Sequence, residues 1–342
     1  MVRTFWLQPA EIIDVHPDIS VIIAAYNAES TISRAIRSAL EQDGVSVEII
    51  VVDDKSSDNT VDVVRSFSQT NIRVLQLDVN GGPARARNVA IDAARGRWIA
   101  VLDADDEMFP GRLLALTSRA ESTGAMLVVD NIEVIDNRDG NTYQMFPAAR
   151  LKQVEKLTLP IFIASNLVFS STFNYGYMKP VFSREFVLRH GLRYSENLRI
   201  GEDYLFFASM LASGGECVVE PTTGYSYHVN DGSISRTLKF HHVASMIEAD
   251  AVFLARFELD LEAKAAQARR TRNLEEVQNF LSLVEYIKCG SVRNIIRMAL
   301  VDPMAFRFLH MPVAVRIKRL MPNFMSRNPF PKHGRTKQHS RV

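Results

Sequence analysis

The segment Asp103-Ala104-Asp105-Asp106 sits directly after the apolar run at residues 98–102 (WIAVL), and its acidic groups are spaced for chemistry. Alternation at a strand end places Asp103 and Asp105 on one side, with the small Ala104 between them. Carboxylates beside a nucleotide diphosphate make sense only with a cation between the two, and oxygen ligands suit Mg²⁺ or Mn²⁺. The competing reading is a solvated acidic turn ahead of the helix that Pro110 opens. Asp53-Asp54 follows another apolar run, and a carboxylate there can accept the imide N–H of a uracil ring. Its alternatives are a helix cap for Asp54 and a turn contact for Asp53. Tyr26, after a third such run, offers a ring face to a base or closes the edge of the core. In Asn80-Gly81-Gly82-Pro83-Ala84-Arg85-Ala86-Arg87, glycines permit close backbone approach, and a helix N-terminus with arginines can neutralise a diphosphate. The alternative is a surface helix start with solvated arginines.

These residues need a scaffold that brings them to one edge. Residues 19–25 (ISVIIAA), 47–52 (VEIIVV), 72–77, 98–102 and 126–135 read as strands, the first two buried on both faces. Helical patterns separate them: residues 32–40, capped by Asn27 or Ser30; a helix capped by Ser57 or Asp58; one entered through Gly81-Gly82; and one opened by Pro110. Strands alternating with helices predict right-handed crossovers and a mostly parallel sheet, whose ligands bind at the carboxyl ends of the strands. Tyr26, Asp53-Asp54 and Asp103–Asp106 all fall there. Beyond a turn at residues 136–141, short strands are predicted at 178–182, 217–220 and 225–229, and helices at 184–190 and 202–213. From about residue 241 the chain reads as helical.

The bulk composition excludes several classes. The 342 residues are 47% hydrophobic and 23% charged with a formal net charge of +1, so no global field points to nucleic acid. Cys217 and Cys289 stand in no metal or redox spacing. No strand-linked G-x-G-x-x-G occurs, which disfavours a nicotinamide enzyme. Neither a secretory leader nor an apolar run of bilayer length is present, so a cytoplasmic chain is expected. After Asp302 there is no acidic residue but many basic ones, and residues 305–325 interleave Val313, Val315, Ile317 and Leu320 with Arg316, Lys318 and Arg319. Such a stretch suits either peripheral contact with an anionic membrane face or docking on the chain itself.

Taken together, VIIAAYN (residues 21–27), EIIVVDDKSSDNT (48–60), NGGPARARN (80–88), GRWIAVLDADD (96–106) and GEDYLF (201–206) resemble the family 2 glycosyltransferases over roughly residues 18–235. That resemblance implies the GT-A, nucleotide-diphospho-sugar transferase fold: α/β, a mostly parallel central sheet flanked by helices, with a helical C-terminal extension. The chain then divides into an N-terminal extension (1–17), a nucleotide-sugar-binding half (18–135), an acceptor-binding half (136–238), a helical region (239–325) and a basic tail (326–342).

The resemblance also implies roles. Ala24, Tyr26, Asp54, Arg87, Asp103 and Asp105 form the nucleotide-sugar-binding set: Tyr26 and Asp54 hold uracil, Asp103 meets the ribose, Asp105 the metal, and Arg87 the diphosphate or sugar. Glu202 lies on the acceptor side and Asp203 is the general base. Inverting transfer needs a carboxylate that takes the acceptor's proton on the face opposite the leaving UDP. Residues 225–235 are similar to a tyrosine-rich strand and loop that closes the donor site, where His228 is either a metal ligand or a structural strand histidine. Processive members carry Q-x-x-R-W and membrane helices, and neither is found. The remaining likeness is to the succinoglycan-type enzymes, implying UDP-glucose, a divalent metal (Mn²⁺ or Mg²⁺), a β-linked product and a lipid-linked saccharide acceptor. A glycoside hydrolase also uses two carboxylates but leaves Asp54 and the Gly-Gly segment unexplained. A glycosyltransferase for another surface polysaccharide, lipopolysaccharide or capsule, and a non-catalytic UDP-sugar binder are the other readings.

Overall fold

The structure is a computed structural model that describes residues 16–138, 140–170, 173–229 and 238–309. The predicted closing loop after Val229 and most of the 305–325 stretch lie outside those residues, as do 1–15 and the 326–342 tail.

Four strands build the first half of the sheet: β1 (Ile19–Ala25), β2 (Val47–Asp53), β3 (Ile72–Gln76) and β4 (Trp98–Val101). β1 pairs in parallel with both β2 and β4, and β2 with β3. The helices between them are α1 (Ile32–Leu40), α2 (Thr60–Arg65) and α3 (Pro83–Ala93). α1 buries Ile32, Ala35, Ile36 and Ala39 on the predicted face. Its N-cap is Thr31 rather than Asn27 or Ser30. Asn27 instead adopts a left-handed backbone at φ 49° and accepts from the Ser57 amide at 2.8 Å, tying the β1 exit to the β2 exit.

The second half departs from strict alternation. β5 (Glu107–Met108), α4 (Arg112–Thr123), β6 (Leu127–Asp136), β7 (Asn141–Gln144), α5 (Ala148–Leu151) and α6 (Leu159–Ser165) follow. Next come β8 (Val181–Ser183), α7 (Arg184–Arg189), α8 (Glu202–Ala212) and β9 (Cys217–Val229). Among the described residues the sheet order is β3-β2-β1-β4-β8-β6-β9-β5, with β7 on β6. β8 runs antiparallel to both neighbours, while β6 and β9 are parallel. The carboxyl end of β4 therefore adjoins the entry to β8, and Lys179 lies just before that entry.

β8 starts at Val181 rather than residue 178, because Pro180 has no N–H to give a ladder. β9 is one strand of 13 residues rather than two short ones. Pro221 and Gly224 read as a break, yet register shifts opposite Asp130–Ile132 absorb them without ending the pairing.

The chain forms two compact units, Met1–Glu275 and Glu276–Val342. The first unit includes α9 (Phe240–Arg256) and the greater part of α10 (Leu261–Lys288). In the second, α11 (Val292–Val301) leaves Val292, Ile296 and Leu300 exposed, and Phe280 and Phe308 meet edge to face at 5.6 Å. Among the described residues no helix is long and apolar enough to cross a membrane.

Candidate active site

At the carboxyl ends of β1 and β4 the chain opens a cleft of about 1240 Å³. Ala24, Tyr26, Arg87, Asp103, Asp105, Glu202 and Asp203 all line it. Seven of the nine residues singled out from the sequence thus converge, although Tyr26 and Asp203 lie more than 170 positions apart in the chain. Tyr26 is 53% exposed, so its ring is a surface of the cleft rather than a core edge.

At its centre is a charged cluster built from four elements. Arg87 projects from the second turn of α3, Asp103 follows β4, Lys179 precedes β8, and Glu202-Asp203 open α8. The Arg87 guanidinium donates from Nη2 to Asp103 Oδ1 at 2.8 Å, and from Nη1 to Asp203 Oδ1 at 3.0 Å and Glu202 Oε1 at 3.2 Å. Lys179 Nζ reaches Asp103 Oδ2 at 2.7 Å and Asp203 Oδ2 at 3.3 Å. Asp103 and Asp203 are therefore bridged twice, once by each cation. Both cations are buried, and the Arg87 guanidinium also lies over the Tyr194 ring at 5.4 Å.

Burial alone would raise the Asp103 carboxyl, but Lys179 and Arg87 outweigh it and hold the group well below the usual carboxylate range. Glu202 goes the other way. Burial, with Asp203 adding its charge, pushes its carboxyl up to about 7 despite the pull of Arg87. Two neighbouring acids at one helix start are thereby set in different environments, with Glu202 buried and the Asp203 side chain 31% exposed to the cleft.

Two predicted residues stand apart. Asp54 does not line the cleft: its carboxylate accepts from the Gly81 and Gly82 amides, both at 2.7 Å, and is buried beneath them. Gly82 has φ 88°, and a Cβ there would meet the Arg199 guanidinium, so only glycine suits the position. The Gly-Gly amides are thus committed to Asp54 rather than to an incoming anion. His228 is also off the cleft. Its Nε2 lies 2.9 Å from Glu107 Oε1 and its Nδ1 lies 3.4 Å from Asn137 Nδ2. The structural reading of this strand histidine fits that geometry.

Asp106 is the buried brace of the acidic segment. Its carboxylate accepts from the Tyr225 hydroxyl and the His228 amide, both at 2.8 Å, while the Tyr225 hydroxyl accepts from the Asp103 amide at 3.1 Å. Burial, with Asp103 and Asp105 nearby, raises the Asp106 carboxyl well above its ordinary value. Arg34 donates to the Asp105 carbonyl, fixing that residue from α1.

Among the described residues no three His, Cys, Asp or Glu side chains form a ready cation cage. That suits Mg²⁺ or Mn²⁺ at a nucleotide, where one or two carboxylates hold the ion and phosphate oxygens and water complete the shell. Asp105, on the cleft wall beside Asp103, fits that donor set.

Sequence reasoning missed Lys179, since a lone lysine before a proline carries no motif. Only the antiparallel placement of β8 beside β4 reveals it.

Comparison with known proteins accords with this geometry. A profile of Glycosyl transferase family 2 matches residues 20–184. The chain is 50% identical over 313 residues to succinoglycan biosynthesis protein ExoO of Rhizobium meliloti (strain 1021), covering 92% of this chain and 90% of that protein. Among solved structures, Staphylococcus aureus TarS 1-349 in complex with UDP-GlcNAc superposes with TM-score 0.57 at 21% identity, over 79% of this chain and 72% of that one. The mannosyltransferase PcManGT of Pyrobaculum calidifontis, in complex with GDP-Man and Mn²⁺, gives 0.56 at 16% identity, over 91% and 89%. The fold is GT-A, and the chain is a glycosyltransferase that belongs to glycosyl transferase family 2.

Proposed function

We propose that the chain transfers glucose from UDP-glucose, with inversion, to a lipid-linked saccharide in the assembly of a succinoglycan-type exopolysaccharide. The single observation that carries the transfer chemistry is the double bridging of Asp103 and Asp203 by Arg87 and Lys179 on one cleft wall. It joins a donor-side acid to an acid well placed to serve the acceptor. The donor and pathway rest on the succinoglycan relative and on the motif resemblance.

In this reading Tyr26 stacks on uracil and Ala24 keeps the strand end small enough for the nucleoside. Asp54 acts through the Gly81-Gly82 turn it clasps rather than by touching the base. Asp103 takes the ribose hydroxyls. Asp105 holds Mn²⁺ or Mg²⁺, which when bound offsets the diphosphate's charge as UDP leaves. Arg87 and Lys179 keep positive charge beside that diphosphate. Asp203 accepts the proton of the acceptor hydroxyl as its oxygen bonds to the anomeric carbon, while the carbon–oxygen bond to UDP breaks and its electron pair departs with UDP. Attack from the face opposite UDP converts an α-linked donor into a β-linked product. Glu202 sets the charge beside Asp203.

A membrane-resident acceptor calls for access from the bilayer surface. The exposed Val292, Ile296 and Leu300 on α11, flanked by Arg293 and Arg297, together with the lack of acidic residues after Asp302, support peripheral contact with an anionic face.

The test is a donor screen with purified protein, Mn²⁺ and a lipid-linked saccharide extract. UDP release from UDP-glucose that depends on the extract, with a β signal in the product NMR, is the expected result. Release that proceeds equally without any acceptor would reject transfer as the activity, and release from a different sugar nucleotide alone would reject glucose.

A further inference from the structure

One stretch of the cleft wall carries no charge. Residues 166–170, 173, 174, 176 and 177 all line it, and none is ionisable except the tyrosine. Two rings stand out of this wall, Phe169 at 41% and Tyr177 at 45% exposure. Exposed aromatics on a concave surface that ends in a charged cluster are a departure from core packing.

The wall is held from behind by α10. Asn273 pairs with both backbone groups of Val168: its Oδ1 accepts from the Val168 amide at 2.7 Å and its Nδ2 donates to the Val168 carbonyl at 3.2 Å. One helical turn earlier, Arg270 donates from Nη1 to the Asn166 carbonyl at 2.6 Å and to Asn166 Oδ1 at 3.0 Å. Asn166 passes the constraint on, donating to Asn174 Oδ1 at 2.6 Å, which also accepts the Gly176 amide at 2.8 Å. A Cβ on Gly176 would run into the Asn166 amide, so this glycine is required for the close approach. Arg270 is itself fixed by Asp250 at 2.9 Å and lies 3.7 Å over the ring of Tyr204, the neighbour of Asp203.

Arg270 and Asn273 are buried. Buried polar networks of this kind select one arrangement more than they add net stability. What they select includes an unusual backbone, with Phe169 at φ 57°. A bulky residue persists in the left-handed region only where its surroundings over-determine it, and such positions cluster at functional sites.

We propose that Phe169 and Tyr177 form the platform on which the acceptor's sugar ring stacks, and that Arg270 and Asn273 of α10 are positioning residues that shape it. A pyranose has an apolar C–H face and a rim of hydroxyls. Aromatic faces bury the first, and the uncharged amides of Asn166 and Asn174 suit the second. The proposal rests on the reading of the chain as a transferase to a saccharide.

The experiment compares wild type with Phe169→Gly, Tyr177→Ala and Asn273→Ala. Transfer from UDP-glucose with Mn²⁺ is measured on a lipid-linked saccharide extract from cells lacking this chain, and UDP affinity is measured by calorimetry. Phe169→Gly removes the ring while keeping a residue at ease at positive φ, so it separates the ring from the backbone. Each variant is expected to lose at least about tenfold in kcat/KM for the acceptor, with UDP affinity within about twofold of wild type and Tyr177→Phe restoring activity. Acceptor kinetics unchanged in Phe169→Gly and Tyr177→Ala would overturn the platform. Inhibition by a polyprenyl monophosphate decides between sugar and lipid: weaker inhibition of the two ring variants than of wild type would give the wall to the lipid chain and overturn the proposal. The same inhibition, or none in wild type, leaves the sugar as occupant. A wild type that neither binds UDP nor transfers refutes the proposed function itself, whereas intact transfer with unimpaired variants refutes only the platform.

Discussion

Replacing Lys179 with methionine keeps the length of the side chain and deletes the charge that joins Asp103 to Asp203. The Lys179 side chain is 9% exposed, against 22% for Asp103 and 31% for Asp203. Removing one partner of a fully buried pair costs about 3–5 kcal/mol, and of an exposed pair about 0.2–1 kcal/mol. With half-wet carboxylates and Arg87 still bridging them, a loss of about 2 kcal/mol follows, or about 5 °C in Tm for a unit of this size. The pH dependence identifies the cause. Lys179 and Arg87 hold the Asp103 carboxyl low, against burial. A depressed carboxyl contributes stability that is present above its unfolded pKa, near about 4, and is lost as pH falls through the folded value. The gap between wild type and Lys179→Met should therefore be full from about pH 5 to about pH 7 and close below about pH 4. Urea midpoints across that range, with Lys179→Arg as the charge-keeping control, measure it. A gap under about 0.5 kcal/mol at neutral pH, or one that persists unchanged into acid, refutes the ion-cluster argument.

Asp105→Ala is expected to abolish the Mn²⁺-dependent part of UDP binding, and calorimetry with and without the ion checks it. Asp203→Asn should leave UDP affinity within about threefold while cutting turnover about a hundredfold or more, as read from single-turnover transfer. Glu202 is pushed up to about 7 from an ordinary 4.5, chiefly by burial. The native chain then holds a proton that the unfolded chain releases, so wild type loses stability as pH rises through that window, by up to about 3 kcal/mol. Glu202→Gln should flatten that slope in thermal melts, and an unchanged slope would place the titration elsewhere.

Much of this was legible in the residues. The apolar runs gave β1 and β2 nearly to the residue, because strands buried on both faces leave no polar ambiguity. Convergence of Tyr26, Asp103 and Asp105 followed from the rule that ligands gather at carboxyl strand ends, whereas Asp203, at the start of a helix, was marked only by the family resemblance of GEDYLF. What could not be read was long-range pairing. Nothing local says that β8 inserts antiparallel between β4 and β6, so Lys179 stayed unnoticed. Asp54 and His228 show the converse: a motif names the residue but not the partner that engages it, here the Gly81-Gly82 amides that donate to Asp54 and the Glu107 carboxylate against His228 Nε2. Two-residue β5 and exposed β7 are too short and too polar to leave a periodic signal.

The seam at β4 and β8 also bears on how such enzymes are recombined. Asp103, which follows β4 in the first half of the sheet, is neutralised by Lys179, which precedes β8, across a strand pair held by Trp98–Ser183, Ile99–Phe182 and Ala100–Val181. A chimera joined at the end of β6 would bring a foreign strand to that seam and strand the Asp103 carboxylate wherever the parent that supplies β8 lacks the lysine. Swaps joined there should therefore carry the 179–183 segment from the parent that supplies Asp103, or choose parents that share it.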